Sequence, residues 1–355
     1  FYPAGACAGN VTGHAGAIDD KERTDYRQRG YLPTEKIGKL NAERTFEDLL
    51  HGTNGKEVVF RDARGKPRSS PQVVEQAKPG HTLILTLALR LQRLADDLLE
   101  GQRGVILALD PRDGAVLAMA QRPSYDPTHP MRGSQFNMIY RAGSFAPGST
   151  FKLVTASAGL MAGRSPDEAI VCDGAFMLGA TRFPCNLRWG HDRETMCEAL
   201  QHSCNVFFYT WAWRVGKQAM VNMAADYGFG QPTGFELAPP GQETGGHLAN
   251  LDNDTIYPGS VVQMGIGQGQ MISVSPLQLA RAYCTLVNGG ALFAPRIVRR
   301  VETSIGEPVD VPRYDRPHPQ GRIPLTDRQR KEILAGLWRV VHEQGGTGSR
   351  AGFKD

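Results

Sequence analysis

No stretch of this 355-residue sequence is apolar and long enough to cross a bilayer, which takes about 20 residues. No signal-peptide pattern is visible either. Charge of one sign is also lacking: 40 basic residues stand against 36 acidic ones, a net charge of +4, with no dense Lys/Arg block. The small group Arg296, Arg299 and Arg300 reads as a solvated face, so nucleic acid binding has no footprint here. Internal repeats and low-complexity tracts are absent, which excludes solenoids and disordered linkers as the main architecture. What remains is ordinary globular usage, 41% hydrophobic and 21% charged, in a chain too long for one average domain and comfortable for two.

Residues 1–80 are irregular and polar, with a strand and turn expected over Glu57–Arg61 and Ala63–Lys66, and Pro79-Gly80 marks a boundary. Beyond it, Thr82–Thr86 reads as a strand, followed by an amphipathic helix carrying Leu89, Leu91, Leu94, Leu98 and Leu99. Val105–Leu109 and Ala115–Met119 predict a hairpin turning at Asp113-Gly114. A helical region is expected from Ser149 to about Ala224, then glycine-rich loops and a helix over 276–288. A last helix is expected over Ile323–His342, capped near Thr326-Asp327.

The chemistry-bearing feature is Gly143-Ser144-Phe145-Ala146-Pro147-Gly148-Ser149-Thr150-Phe151-Lys152, a Pro-Gly turn opening a helix. Positions i and i+3 share a helix face at roughly 5–6 Å between Cβ atoms, so Ser149 and Lys152 can meet. A lysine whose pKa burial lowers is able to take a serine's proton, and helix-start amides suit a developing oxyanion. Ser-x-x-Lys alone is weak, because a capping serine near a solvated lysine is commonplace. Downstream, Ser203-Cys204-Asn205 adds a second Ser/Asn pair inside an apolar stretch, itself readable as a cap or turn when taken alone. The two together form the nucleophile, base and second-motif arrangement of serine transpeptidases and β-lactamases.

The run Ala146–Lys152 resembles the active-site motif of class B penicillin-binding proteins, the monofunctional D,D-transpeptidases. Leu109–Ala120 and Arg122–Pro127 resemble the opening of that family's transpeptidase domain; Gly265–Gly269 with Val274–Ala280 resembles its glycine loop and following helix. Glu43, Phe46, Glu47, Leu50, Gly52 and Gly55 resemble the pedestal signature ahead of the catalytic domain. The resemblance covers nearly the whole sequence. It implies an α+β penicillin-recognising fold, mainly an antiparallel sheet covered by helices. It also implies part of an N-terminal pedestal (dimerisation-like) domain over 1–80 and a transpeptidase domain over 81–355. A K-[ST]-G triad is expected on a strand beside the hairpin; none occurs in the sequence, and Lys354 is followed by Asp355, so that strand is expected outside it.

By the same resemblance Ser149 is the nucleophile and Lys152 the general base, Ser203 relays the proton to the departing D-alanine, and Asn205 holds Lys152 and the donor amide. The implied substrates are peptidoglycan stem peptides ending in D-Ala-D-Ala, with β-lactams as their mimics. The implied partner is a RodA-like membrane glycan polymerase of the elongation machinery that sets cell shape. The implied location is the periplasm, tethered to the inner membrane by a single N-terminal anchor. A β-lactamase or β-lactam sensor, or a non-catalytic scaffold, is the competing reading; the pedestal signature separates the first of these from a transpeptidase.

Six cysteines are present, and Cys172, Cys185, His191 and Cys204 fall as C-x12-C-x5-H-x12-C. Three thiolates and an imidazole suit structural tetrahedral zinc, and Cys204 lies inside the Ser203/Asn205 motif. Asp173 is a competing ligand, a Cys172–Cys185 disulfide the competing chemistry, and a buried free thiol the third reading of Cys204. Cys7, Cys197 and Cys284 read as structural.

Overall fold

The computed structural model describes residues 2–352 apart from 132, 134, 142, 240 and 315, so the Lys354-Asp355 end lies outside the described residues. The N-terminal part is a set of short helices and ribbons, Ala15–Ala17 pairing antiparallel with Lys36–Gly38. Its knot is the signature residue Glu47. This buried carboxylate accepts from Gly38 N at 2.6 Å and Tyr31 OH at 3.0 Å, with Phe46 buried beside it. Lys56–Val58 pairs with Gln72–Glu75, stopping short of the strand expected to reach Arg61, and Gly65 N bonds Asp62 O at the expected turn.

The sheet half follows. Strand β1 (Thr82–Leu85) leads into helix α1 (Leu89–Leu98), and then the β2 (Gly104–Leu109) and β3 (Val116–Arg122) hairpin, whose register sets Leu107 opposite Met119. Side chains alternate faces along a strand. Ala118 and Ala120 therefore pack on Ala95 of α1 and on Leu99 just past its end, while Leu107 and Met119 join Leu277 on the other face. The leucines Leu89, Leu91, Leu94 and Leu98 that make α1 look amphipathic are exposed. The buried face is instead Gln92, Ala95 and Asp96. Gln92 pairs in both directions with the Met119 backbone and Asp96 bonds Arg122, so hydrogen bonding rather than apolar burial orients this helix. Among the described residues no strand pairs with the outer edge of β2. A cavity of about 780 Å³ runs between that strand, Phe145–Thr150 and Tyr283.

The helical half is built on α2 (Lys152–Met161), buried from Lys152 to Leu160 as a helix apolar nearly all round must be. The expected continuous helical region over 149–224 is corrected here. Residues 170–194 form two antiparallel pairs, β4 (Ile170–Cys172) with β7 (Asp192–Glu194) and β5 (Ala175–Leu178) with β6 (Thr181–Pro184). Gly174, Gly179 and Gly190, all at positive φ, cut the segment into runs too short for a helix. Helices α3 (Met196–Gln201) and α4 (Asn205–Asp226) follow. The second packs on α2 through Phe207, Phe208 and Trp211. Helix α5 (Pro258–Met264) lies on α4, and α6 (Pro276–Val287) bridges the two halves. Strand β8 (Val298–Glu302) returns to pair with β1. Helix α7 (Asp327–His342) starts at a capping box: Gln329 N donates to Thr326 Oγ1 and Thr326 N to Gln329 Oε1. Ile323 lies before this helix, bonded to Gly290 O. The architecture is α+β, as the sequence implies.

Candidate active site

The Pro147-Gly148 turn delivers Ser149 on a short 3-10 turn (Gly148–Phe151) ahead of α2. Gly148 has φ +58, a backbone conformation open to glycine, and its N–H is held by Gly267 O at 2.9 Å. Phe151 is buried below, so the turn is anchored while Ser149 itself stays exposed. The Ser149 N–H sits where helix-start amides have no intrahelical acceptor. One turn later Lys152 is 2% exposed.

The sequence-predicted residues converge. Lys152 Nζ donates to Ser203 O at 2.6 Å, Ser203 Oγ at 2.8 Å and Asn205 Oδ1 at 2.7 Å, with the Phe208 ring centroid 5.4 Å away. Ser203 Oγ in turn donates to Ser149 Oγ at 3.0 Å. The Ser203 hydroxyl therefore stands between the other two groups, which the i, i+3 spacing does not reveal. Burial makes the ammonium form costly and pulls the Lys152 pKa down to about 8. Ser203 has φ +54, a strained conformation for a residue with a side chain, of the kind kept at functional sites. Neither Ser203 nor Asn205 spends its side chain on capping; both bond Lys152 instead.

Behind them, Cys172, Cys185, His191 and Cys204 gather their ligand atoms within 4.8 Å of one another. The β4–β7 ladder does this by setting Asp192 opposite Cys172. The Gly190 turn, at φ +86, brings His191 N onto Cys172 O at 3.0 Å, where a Cβ on residue 190 would lie 1.9 Å from that oxygen. Cys172 Sγ and Cys185 Sγ lie 3.6 and 3.5 Å from His191 Nδ1, and Cys185 Sγ lies 3.9 Å from Cys204 Sγ. Metal–sulfur bonds of about 2.3 Å arranged tetrahedrally separate two sulfurs by about 3.8 Å, so the donor set fits zinc. The thiol hydrogen bond from Cys204 holds the Cys185 pKa far down and pushes Cys204 up, and Asn205 N also donates to Cys185 Sγ at 3.3 Å. Asp173 is exposed and outside the cluster, and all six cysteines are free.

Sequence reasoning misses a supporting pair. The buried Glu194 carboxylate lies 2.9 Å from His202 Nδ1, and the His202 ring stacks on His191. This ties the residue before Ser203 to the cluster. No motif spacing marks the pair, because it is made by β7 meeting the end of α3.

Two family models match the sequence, the penicillin binding protein transpeptidase domain over residues 104–354 and the penicillin-binding protein dimerisation domain over 1–85. Peptidoglycan D,D-transpeptidase MrdA of Escherichia coli (strain K12) is 32% identical over 84% of the chain and 51% of its own length. MrdA of Haemophilus influenzae is 30% identical over 99% and 56%. The chain thus spans about half the length of the curated relatives it matches. A crystal structure of Pseudomonas aeruginosa PBP2 in complex with WCK 5153 superposes with a TM-score of 0.79 at 28% identity, covering 99% of this chain and 77% of that one. A chain from a peptidoglycan synthase complex that coordinates polymerization and crosslinking superposes at 0.80 and 27% identity, covering 97% and 62%.

Proposed function

The chain belongs to the class B penicillin-binding proteins, of the kind like penicillin-binding protein 2, and from that premise we propose that it carries the acyl-transfer chemistry of a peptidoglycan D,D-transpeptidase. The observation that carries the reading is the unbroken hydrogen-bond line from Ser149 Oγ through Ser203 Oγ to Lys152 Nζ, ending on a lysine with lowered pKa. Ser149 Oγ attacks the carbonyl carbon between the two terminal D-alanines. Its proton passes to neutral Lys152 through Ser203 as the C–O bond forms. The Ser149 N–H supplies one donor to the tetrahedral oxyanion. Collapse breaks the C–N bond, and the departing D-alanine amine takes the proton back along the same line, leaving an ester on Ser149. An amine of a neighbouring stem peptide then attacks the ester, forming the cross-link amide and returning the proton to Ser149. Asn205 fixes Lys152 and faces the donor amide.

β-Lactams imitate the terminal dipeptide and stop at the ester. The match to the dimerisation-domain model favours a transpeptidase over a lone-domain β-lactamase or sensor. The likeness to a chain of a synthase complex that couples polymerization to crosslinking supports a glycan polymerase as partner and a role in elongation and cell shape. A periplasmic catalytic part anchored in the inner membrane fits that role; no helix among the described residues is long and apolar enough to span a bilayer. Cys172, Cys185, His191 and Cys204 would hold zinc structurally, fixing the Ser203–Asn205 turn and taking no part in bond making.

Labelled penicillin tests the reading on the full-length protein. Covalent labelling that disappears in Ser149→Ala is the expected result. An unlabelled but folded wild-type protein would leave only the scaffold reading.

A further inference from the structure

Ser203 stands between Ser149 and Lys152 in a left-handed conformation, φ +54, which a residue with a side chain keeps only where its surroundings over-determine it. Downstream, Cys204 is fully buried and its N–H is bonded to Ala199 O at 2.9 Å. Upstream, the grip falls on His202. Its Nδ1 lies 2.9 Å from Glu194 Oε1, and its ring stacks on His191 at 5.9 Å between centroids and 5° between planes. A Cβ on Gly345 would lie 3.5 Å from His202 Nε2, so the backbone of the loop after α7 rests against the same ring. The His202 carbonyl accepts from Asn186 Nδ2 at 3.1 Å. The residue before it is fastened as well: Gln201 Nε2 donates to Gln344 O at 2.8 Å, and Gln201 O accepts from Thr347 N at 3.2 Å.

Glu194 ends β7 and His202 follows the last residue of α3, so their contact closes across the whole of that six-residue helix. Glu194 is 3% exposed, has no other side-chain partner among the described residues, and leaves its Oε2 unbonded. A buried carboxylate with one partner is a poor device for stability, because apolar residues of similar volume often serve as well or better. It is a good device for orientation, since a bond to a charged acceptor is short and directional. The His202 carbonyl lies in the planar peptide unit from which Ser203 φ is measured, so holding the ring and that carbonyl holds the plane. We propose that Glu194 and His202 are positioning residues of the acyl-transfer site, fixing the 202–203 peptide plane so that the Ser203 hydroxyl meets Lys152 Nζ and Ser149 Oγ together. This rests on the transpeptidase reading and adds to it two residues that touch none of the reacting atoms.

The test is a double-mutant cycle on the full-length protein, read as the acylation rate constant at saturating labelled penicillin, with metal content and Tm measured beside it. Glu194→Ala and His202→Ala each slow acylation about tenfold and leave the affinity of the pre-acylation complex unchanged, because a small misplacement acts on the chemical step. Glu194→Gln, which keeps an acceptor of the same reach, recovers most of the rate. In a Ser203→Ala background, Glu194→Ala adds less than about twofold, since the residue through which it acts is gone. Full additivity in that cycle overturns the proposal, as does wild-type acylation by both alanine variants. A rate loss that follows lost metal in every variant overturns it too, and leaves the pair a support of the cluster alone. Should Glu194→Ala fail to fold, the part-exposed His202 carries the same cycle as His202→Ala. Wild-type protein that penicillin does not label removes the parent reading, whereas labelled wild type with an additive cycle removes this proposal alone.

Discussion

Ser203 Oγ lies 2.8 Å from Lys152 Nζ and 3.0 Å from Ser149 Oγ, so the second-motif hydroxyl stands between the proposed nucleophile and the proposed base. If protons move along this line, Ser203→Ala slows acylation itself by about 10²-fold or more, within the range general acid–base groups contribute. Lys152→Ala, which removes the acceptor, falls at least as far. The acylation rate constant for a labelled penicillin measures both. Wild-type acylation by Ser203→Ala, with only slower release of the acyl-enzyme, would remove Ser203 from the first step.

In its proposed role Lys152 takes a proton only when neutral, and burial lowers its pKa to about 8 from the usual value of 10.5. Acylation therefore rises roughly tenfold per pH unit below 8 and levels off above it. Stability follows the same sign. Between about 8 and 10.5 the unfolded lysine keeps a proton that the folded one has lost, so the folded state gains as pH rises through that window. The pH profile of acylation checks the first statement. A flat profile between pH 6 and 9 would contradict it.

Much of the site is legible in the sequence, for identifiable reasons. The Ser149, Lys152, Ser203 and Asn205 motifs sit at turns and helix starts, where Pro147, Gly148 and local polar residues leave a strong trace. Segment 170–194 reads as helix because its apolar residues fall in runs of three or four that fit either period; only the pairing of β4 with β7 decides. The leucines of α1 are poor guides for the opposite reason. Its buried face is chosen by Gln92 completing the backbone bonds of Met119, which apolar periodicity does not encode. The Glu194–His202 contact joins residues from separate elements and leaves no local signal at all.

The four-ligand cluster predicts one zinc per chain by metal analysis of protein purified without added metal. Cys204 is flanked by Ser203 and Asn205, so losing the metal loosens both. Chelation, or Cys172→Ser, lowers Tm by several degrees and slows acylation, whereas Cys284→Ser, outside the cluster, leaves both near wild type. Metal-free protein with an intact Cys172–Cys185 bond by mass would replace the zinc reading with the disulfide.

Gly159 of α2 faces Trp211 of α4. A Cβ there would lie 2.0 Å from Trp211 Cε3 and 2.3 Å from Cζ3, well inside any tolerable contact. Trp211 is fully buried and Phe207 lies 4.9 Å away between ring centroids, so the indole has no free direction in which to yield. Gly159→Ala therefore forces the helices apart. Overpacking of this kind costs about 1–3 kcal/mol or more, against about 1 kcal/mol returned by the better helix propensity of alanine. The net effect is destabilising, read as a lower denaturant midpoint at unchanged m. Because α2 holds Lys152 and α4 holds Asn205, the same shift lengthens their 2.7 Å contact and slows acylation. Gly336→Ala makes the contrast: its one severe obstacle is Leu200 Cδ1 at 2.5 Å, the end of a flexible side chain, with Leu200 Cβ at 3.1 Å and Cys197 Cα at 3.3 Å needing only a small shift, so it costs less. Equal losses in the two variants would mean that helix packing at Trp211 does not set the spacing of the site.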